Sequence, residues 1–234
     1  QDKVVLERHY DLNLEEKSKV LELSYLNSYY QTGMKDLIDK AIIDAAKGEL
    51  DTNDINQNYQ KIDEIPFDFK RRRMSVVVMN KKHEHLLVTK GAAEEMLACS
   101  NRLEINGEIR ALNQEQRQEI LNKINQMNQD GLRVVLLAYK KNPAPVGEFS
   151  VDDEKELILT GFLAFLDPPK DSAKAALTAL KGDGITVKIL TGDNEAVTRN
   201  VGKQVGLDIN CVYQGKDLEN KSSAELKKMV EECD

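Results

Sequence analysis

At 234 residues the chain suits one large domain or two small ones and is long enough to bury a sizeable core. With 41% hydrophobic and 31% charged residues it reads as globular, and a net charge of −7 argues against a surface made for nucleic acid. No apolar run approaches the roughly 18 residues of a membrane span, no signal peptide is visible, and Cys99, Cys211 and Cys233, odd in number and without metal-ligand spacing, point to a reducing compartment.

The elements follow in chain order. Asn13 is placed as the N-cap of a helix carrying Val20, Leu21, Ser24 and Leu26. After the loop "YYQTG", Leu37, Ile38, Ala41, Ile42 and Ala45 recur at helical spacing as far as Gly48. Residues 49–60 are polar and read as a loop. "SVVVM" and "HLLVTK" are two strands joined by the charged turn "NKKHE". His83 and His85 there can share a strand face and so a metal, although a solvated strand edge explains them as well. "GAAEEMLACS" is a short helix, and "RLEINGEIRAL" a hairpin turning at Asn106-Gly107. Ile120, Ile124 and Met127 mark a helix that Gly131 ends. "LRVVLLAY" and "LILTGFLAFL" are apolar strands separated by a Pro/Gly-bearing loop.

The pattern changes at Asp167. "DPPKDS" breaks the strand, Asp171 caps a helix with Ala173, Ala176, Leu177 and Leu180 inward, and "ITVKIL" reads as a parallel strand buried on both faces. "TGDN" leads into a helix with Val197, Val201 and Val205, and "CVYQG" into a last helix. Residues 1–166 therefore predict an α+β domain with a largely antiparallel sheet, and residues 167–234 part of a doubly wound α/β domain.

"KILTGDN" suits a phosphate. Thr191 stands at the carboxyl end of the predicted parallel strand, Gly192 lets backbone approach an anion, and the next helix adds its N-terminal partial charge. Asp193 either caps that helix or orders a magnesium shell through water. Taken by itself, the tetrapeptide reads more simply as a plain strand-to-helix turn with Asp193 as N-cap.

Four ordered segments, "FDFKRRRMSVVV", "LLVTKGA", "FLDPPKDS" and "KILTGDN", resemble the large cytoplasmic loop of P-type ATPases, ion pumps that move the γ-phosphate of ATP onto an aspartate. "LNSYYQTGMKDLIDKAI" and "QKIDEIPFDFKRRRMSVVV" are similar to the bacterial magnesium-transporting branch. The resemblance covers essentially the whole chain. It implies a nucleotide-binding domain over residues 1–166 and, over 167–234, part of a haloacid-dehalogenase-like phosphorylation domain. The family's acceptor segment "DKTGTLT" and its magnesium-binding "GDGxND" do not occur in the sequence; the chain is expected to begin just after the first and to end before the second. The start at Gln1 without a methionine fits such a fragment.

The resemblance also implies roles. Phe67 stacks on adenine; taken alone, it reads as a core aromatic at a strand start. Phe69 stands where many relatives carry an arginine near the phosphates, and Arg71, Arg72 or Arg73 can replace it, unless the triplet is a solvated basic turn. Met74 is similar to a methionine beside adenine, or is an ordinary buried strand residue. Lys90 becomes the signature lysine of the pocket, with Gly91 leaving room beside it. Arg133 meets the phosphates through its planar fork or pairs with a carboxylate at a strand edge. Asp39 stands in for a glutamate that contacts the adenine edge in relatives, or else faces solvent. Thr191, Gly192 and Asp193 serve phosphoryl transfer, and Asp167 anchors a hinge.

The implied function is the ATP-binding cytoplasmic part of a magnesium-importing pump of a bacterial inner membrane, using ATP and Mg2+. Its other partners are the phosphorylation, actuator and membrane domains of its own chain, with no nucleic acid and with membrane contact only through segments outside these residues. The fragment is expected to bind nucleotide without turning it over. Two rivals are a soluble haloacid-dehalogenase-like phosphatase and a non-enzymatic interaction module using "KRRR".

Overall fold

The computed structural model describes residues 4–143, 149–167, 170–192, 195–219 and 221–233. They form two compact units, one of Lys3–Met127 and Arg133–Asp167, the other mainly of Pro168–Asp234.

The first unit opens with β1 (Val5–Asp11), followed by helices α1 (Ser18–Tyr30), α2 (Leu37–Glu49) and α3 (Thr52–Asn58). Strands β2 (Tyr59–Asp68), β3 (Arg73–Asn80) and β4 (His85–Gly91) come next, then α4 (Ala93–Cys99). The hairpin β5 (Ser100–Ile105) and β6 (Glu108–Ala111) leads to α5 (Gln114–Gln129), β7 (Leu132–Lys141) and β8 (Leu157–Leu166). The strands join one mostly antiparallel sheet in the order β2-β3-β4-β7-β8-β5-β6, with β1 also on β8. Of the pairs β1–β8, β2–β3, β3–β4, β4–β7, β5–β6 and β5–β8, only the last is parallel. The α+β expectation with flanking helices is what the first unit forms.

Alternation decides which strand residues face the helices. Met74, Val76, Val78, Val88 and Leu137 lie on one face, under Val20, Leu21, Leu26 and Ile42. Each such aliphatic side chain contributes about 1.5–3 kcal/mol when fully buried. α1 is buried at Val20, Leu21 and Leu23 through Ser28, because it sits between sheet and α2; its apolar stripe is uneven for that reason. Gly161 in β8 is required by a close crossing, since a Cβ there would stand 2.3 Å from the Tyr10 carbonyl oxygen. Asn106 and Gly107 both take positive φ, at 53° and 82°, as the predicted tight hairpin turn demands.

Several expectations are corrected. β1 precedes Asn13, where no strand was predicted. Asn13 is not a cap: α1 starts at Ser18, while Asn13 lies in a turn whose N–H goes to Asp11. Residues 49–60 are not a loop, because Asp51 caps α3 by accepting from Asn53 and Asp54, and β2 starts at Tyr59.

In the second unit, α6 (Asp171–Gly182), α7 (Glu195–Val205), α8 (Gly215–Leu218) and α9 (Ser223–Glu232) are helical, and no strand occurs among the described residues. "ITVKIL" is therefore not the predicted buried parallel strand: Ile185, Ile189 and Leu190 are exposed, the last at 98%. A parallel strand needs neighbours on its edges to take its N–H and C=O groups, and none is present among the described residues of this unit. Asp171 is the first helical residue of α6 and Lys170 holds the cap position. Cys211 and Cys233, separated by 22 residues, are joined with 5.5 Å between Cα atoms, while Cys99 is free. Pairing follows proximity in the fold, which spacing alone does not reveal.

Candidate nucleotide site

The sheet register gathers the predicted residues at one end. Asp68 pairs with Arg73, Met74 with Lys90, Arg73 with Gly91, and Gly91 with Leu136. Phe67 is thus at the end of β2, Met74 at the start of β3, Lys90 and Gly91 at the end of β4, and Arg133 three residues before Leu136 on β7. Tight turns join β2, β3 and β4, and β7 returns beside β4 after α4, β5, β6 and α5, so residues far apart in sequence share one end of the sheet.

Phe67 is not a core residue at a strand start: it is 53% exposed, and Phe69, 88% exposed, meets it edge-on at 5.3 Å between ring centroids. Met74 is buried. Gly91 admits no side chain, because a Cβ would lie 2.5 Å from Arg73 Cβ and 2.8 Å from the Arg72 carbonyl oxygen. Arg133 is exposed on its strand.

Lys90 neither snorkels nor stays free. Its ammonium donates to Ser28 Oγ at 2.7 Å and forms a buried ion pair with Asp39. Asp39 does not face solvent; it is 1% exposed, and Gln31, with its amide turned to donate, lies 2.7 Å from its Oδ2. Burial lowers the Lys90 pKa from the ordinary lysine value, and the Asp39 carboxylate pulls it back upward. The loop before α2 is fastened around this pair. Lys35 Nζ takes the Ser28, Tyr29 and Gln31 carbonyls at 2.7, 2.9 and 3.1 Å, satisfying the last turn of α1. Glu64 accepts from the Thr32 N–H at 2.7 Å, from the Thr32 hydroxyl, and from Lys61 at 2.7 Å.

The arginine triplet is a solvated basic turn only at Arg72, which is exposed; Arg71 and Arg73 are not. Arg71 and Arg73 both donate to Glu154, whose side chain is fully buried, Arg73 Nε at 2.8 Å. Arg72 bonds Glu95 at 2.7 and 2.8 Å and reaches Glu94 at 3.2 Å. Glu154, Ser28 and Ser75 escape sequence reasoning. A lone glutamate after the capping box of Ser150 and Asp153 carries no pattern that marks it.

In the second unit Thr191 and Gly192 are exposed and line a cavity of about 710 Å3 with Ile209, Tyr213 and Met229. Asp193 lies outside the described residues. Asp167 is exposed at the end of the first unit. Among the described residues no group of three or more His, Cys, Asp or Glu is arranged to hold a metal ion, and no helix is long and apolar enough to cross a membrane.

The family model described as "P-type ATPase, cytoplasmic domain N" matches residues 17–172. The chain belongs to the P-type ATPase family. It is 46% identical over 231 residues, 99% of its length, to the "Magnesium-transporting ATPase, P-type 1" of Escherichia coli K12. A protein of the same name from Salmonella typhimurium LT2 is 40% identical over 238 residues, again spanning 99% of this chain. A calcium-transporting ATPase of Listeria monocytogenes is 30% identical over 191 residues, 79% of this chain and 21% of its own. The chain spans 26% of the length of the Escherichia coli relative, so it matches a quarter of such a P-type ATPase.

Proposed function

We propose that this chain is the nucleotide-holding cytoplasmic portion of a bacterial magnesium-transporting P-type ATPase, with residues 1–166 as the nucleotide domain and 167–234 as part of a haloacid-dehalogenase-like phosphorylation domain. The observation that carries the reading is the placement of a half-exposed Phe67 at the same end of the sheet as Met74, Lys90 and Gly91. An adenine needs an open aromatic face, an apolar floor and a polar group for its edge. Phe67 supplies the face, Met74 the floor, and Lys90, oriented by Asp39 and Ser28, the polar group. Gly91 leaves clearance, and Arg133, exposed at the same end of β7, reaches toward the phosphates. Asp39 acts by holding Lys90 rather than by meeting adenine directly.

In this reading Thr191 and Gly192 grip the γ-phosphate, Asp193 caps the following helix or orders a magnesium shell through water, and Asp167 anchors the hinge. Mg2+ arrives with the phosphates. The acceptor aspartate attacks the γ-phosphate from a segment outside this sequence, so positioning and charge are what these residues contribute. "DKTGTLT" and "GDGxND" are absent from the 234 residues. The chain therefore binds ATP without releasing phosphate. Magnesium as the transported ion, a position on the cytoplasmic side of the inner membrane, and work alongside actuator and membrane domains rest on the likeness to full-length relatives.

The test is titration of the chain with ATP, ADP and GTP, followed by amide NMR. Saturable shifts near Phe67, Lys90 and Arg133 with an adenine preference are expected. A folded sample whose amides ignore all three nucleotides overturns the reading.

A further inference from the structure

We propose that Glu154 is a positioning residue for the aromatic wall of the nucleotide site, acting through Arg71. The inference rests on the nucleotide reading for its binding arm only. Glu154 lies on the face of the sheet opposite Lys90, since strand neighbours alternate: Met74 and Lys90 face the helices, while Arg73, Ser75 and Thr89 face the other way. Its side chain is fully buried, and every bond it makes goes to this end of the sheet. Oε2 accepts from Arg71 Nη1 and from Arg73 Nε at 2.8 Å, and Oε1 accepts from Ser75 Oγ at 2.7 Å. Ser75 Oγ is in turn 2.8 Å from Thr89 Oγ1, next to Lys90.

The link to the ring is direct. Arg71 Nη2 donates to the Pro66 carbonyl at 2.7 Å, one residue before Phe67. Asp68, one residue after it, accepts the N–H groups of Lys70 and Arg71, both at 2.9 Å. The turn closes through Arg72, whose φ of 43° is unfavourable for a side-chain-bearing residue and whose carbonyl accepts from Ala92 at 2.9 Å. A half-exposed ring has little packing of its own to fix it. Its backbone is held instead by a guanidinium that a buried carboxylate locks in place. The same bonds explain why Arg71 and Arg73 are not available to phosphates: both are spent on one carboxylate beneath the turn.

The experiment compares Glu154→Gln, Phe67→Ala and the double variant in the full chain, labelled with fluorophenylalanine so that the five phenylalanines give separate 19F signals. Without nucleotide, Glu154→Gln is expected to shift and broaden the Phe67 signal while those of the buried Phe162 and Phe165 stay put. With ligand, adenosine, ADP and ATP all weaken by the same factor, about tenfold, the scale of one charge-assisted hydrogen bond. In the Phe67→Ala background the change adds little. An unmoved Phe67 signal, an equal further loss in the double variant, or ATP tightening relative to adenosine would each overturn the proposal. The last would mean that freed arginines act on phosphates. If Glu154→Gln does not fold, Arg71→Gln keeps the Arg73 and Ser75 bonds and must move the Phe67 signal alone. If no nucleotide binds even the unaltered chain, the nucleotide reading fails, while the 19F comparison still decides the role of Glu154.

Discussion

Asp39→Asn isolates the buried pair beneath the site. The amide keeps the shape of the carboxylate but removes the charge paired with the Lys90 ammonium, which is 7% exposed and keeps Ser28 Oγ and the amide oxygen as neutral partners, with the Asp36 carboxylate acting less strongly. Removing one member of a buried ion pair costs about 3–5 kcal/mol. An upper bound comes from the escape route. From an ordinary lysine value of 10.5, shedding the proton at pH 7 costs about 4.8 kcal/mol at 1.36 kcal/mol per unit. The variant is thus expected to lose about 3–5 kcal/mol at pH 7 and to hold Lys90 neutral. The sign of the pH dependence follows. The unfolded chain then binds a proton at Lys90 that the folded variant does not, so the variant's stability rises with pH up to the unfolded value of 10.5. In the parent chain the Asp39 charge opposes that effect, and the deficit of the variant shrinks by up to about 1.4 kcal/mol per pH unit. Urea unfolding at pH 7, 8 and 9 measures it, followed by tyrosine fluorescence, because six of the seven tyrosines precede residue 140. A loss below about 1 kcal/mol at pH 7, or an equal loss at pH 7 and 9, would refute a buried, ionised pair. The double change Asp39→Leu with Lys90→Met should recover most of the stability, since two apolar side chains leave no charge behind.

Phe67→Ala is expected to weaken adenine nucleotide binding while changing unfolding free energy by no more than about 0.5 kcal/mol, as for an exposed side chain; loss of the cooperative melt would return the ring to the core. Gly91→Ala forces a Cβ to within 2.5 Å of Arg73 Cβ and should destabilise the first unit by about 1–3 kcal/mol, read by urea titration. Burial raises the Glu64 pKa, but bonds from Lys61 and Thr32 outweigh it and leave it below the usual 4.5. A depressed carboxylate stabilises above its unfolded value and loses that contribution as pH falls through its folded one. The Thr32 amide shift should accordingly titrate with a midpoint under 4.5, and a midpoint at or above that value removes the staple.

Much of the first unit is legible because its signals are local. The valines of β3 and the apolar β8 need only to be buried, and Asn106-Gly107 specifies its own turn. β1 was missed because "VLERHYD" mixes charge into an edge that pairs only with β8. α3 was missed because its residues are polar throughout and its start depends on a single Asp51 cap. "ITVKIL" misled for the opposite reason: its apolar content states what it would bury, and no strand to pair with it occurs among the described residues of the second unit. At the site, Lys90 could be singled out by the charge that ends an apolar strand. Its pairing with Asp39 could not, because that requires α2 to lie over β4. Glu154 left no trace at all, as a buried carboxylate in a polar loop looks like any other until two arginines converge on it.

The hairpin turn at Lys81–Glu84 lies at the opposite end of β3 and β4 from Met74 and Lys90. Seven strand residues at about 3.3 Å each separate the two ends by roughly 23 Å. A fluorophore or affinity tag attached at exposed Lys82 therefore reports on the first unit from outside the reach of a bound nucleotide. Surface immobilisation through that point would leave the aromatic edge turned toward free solution.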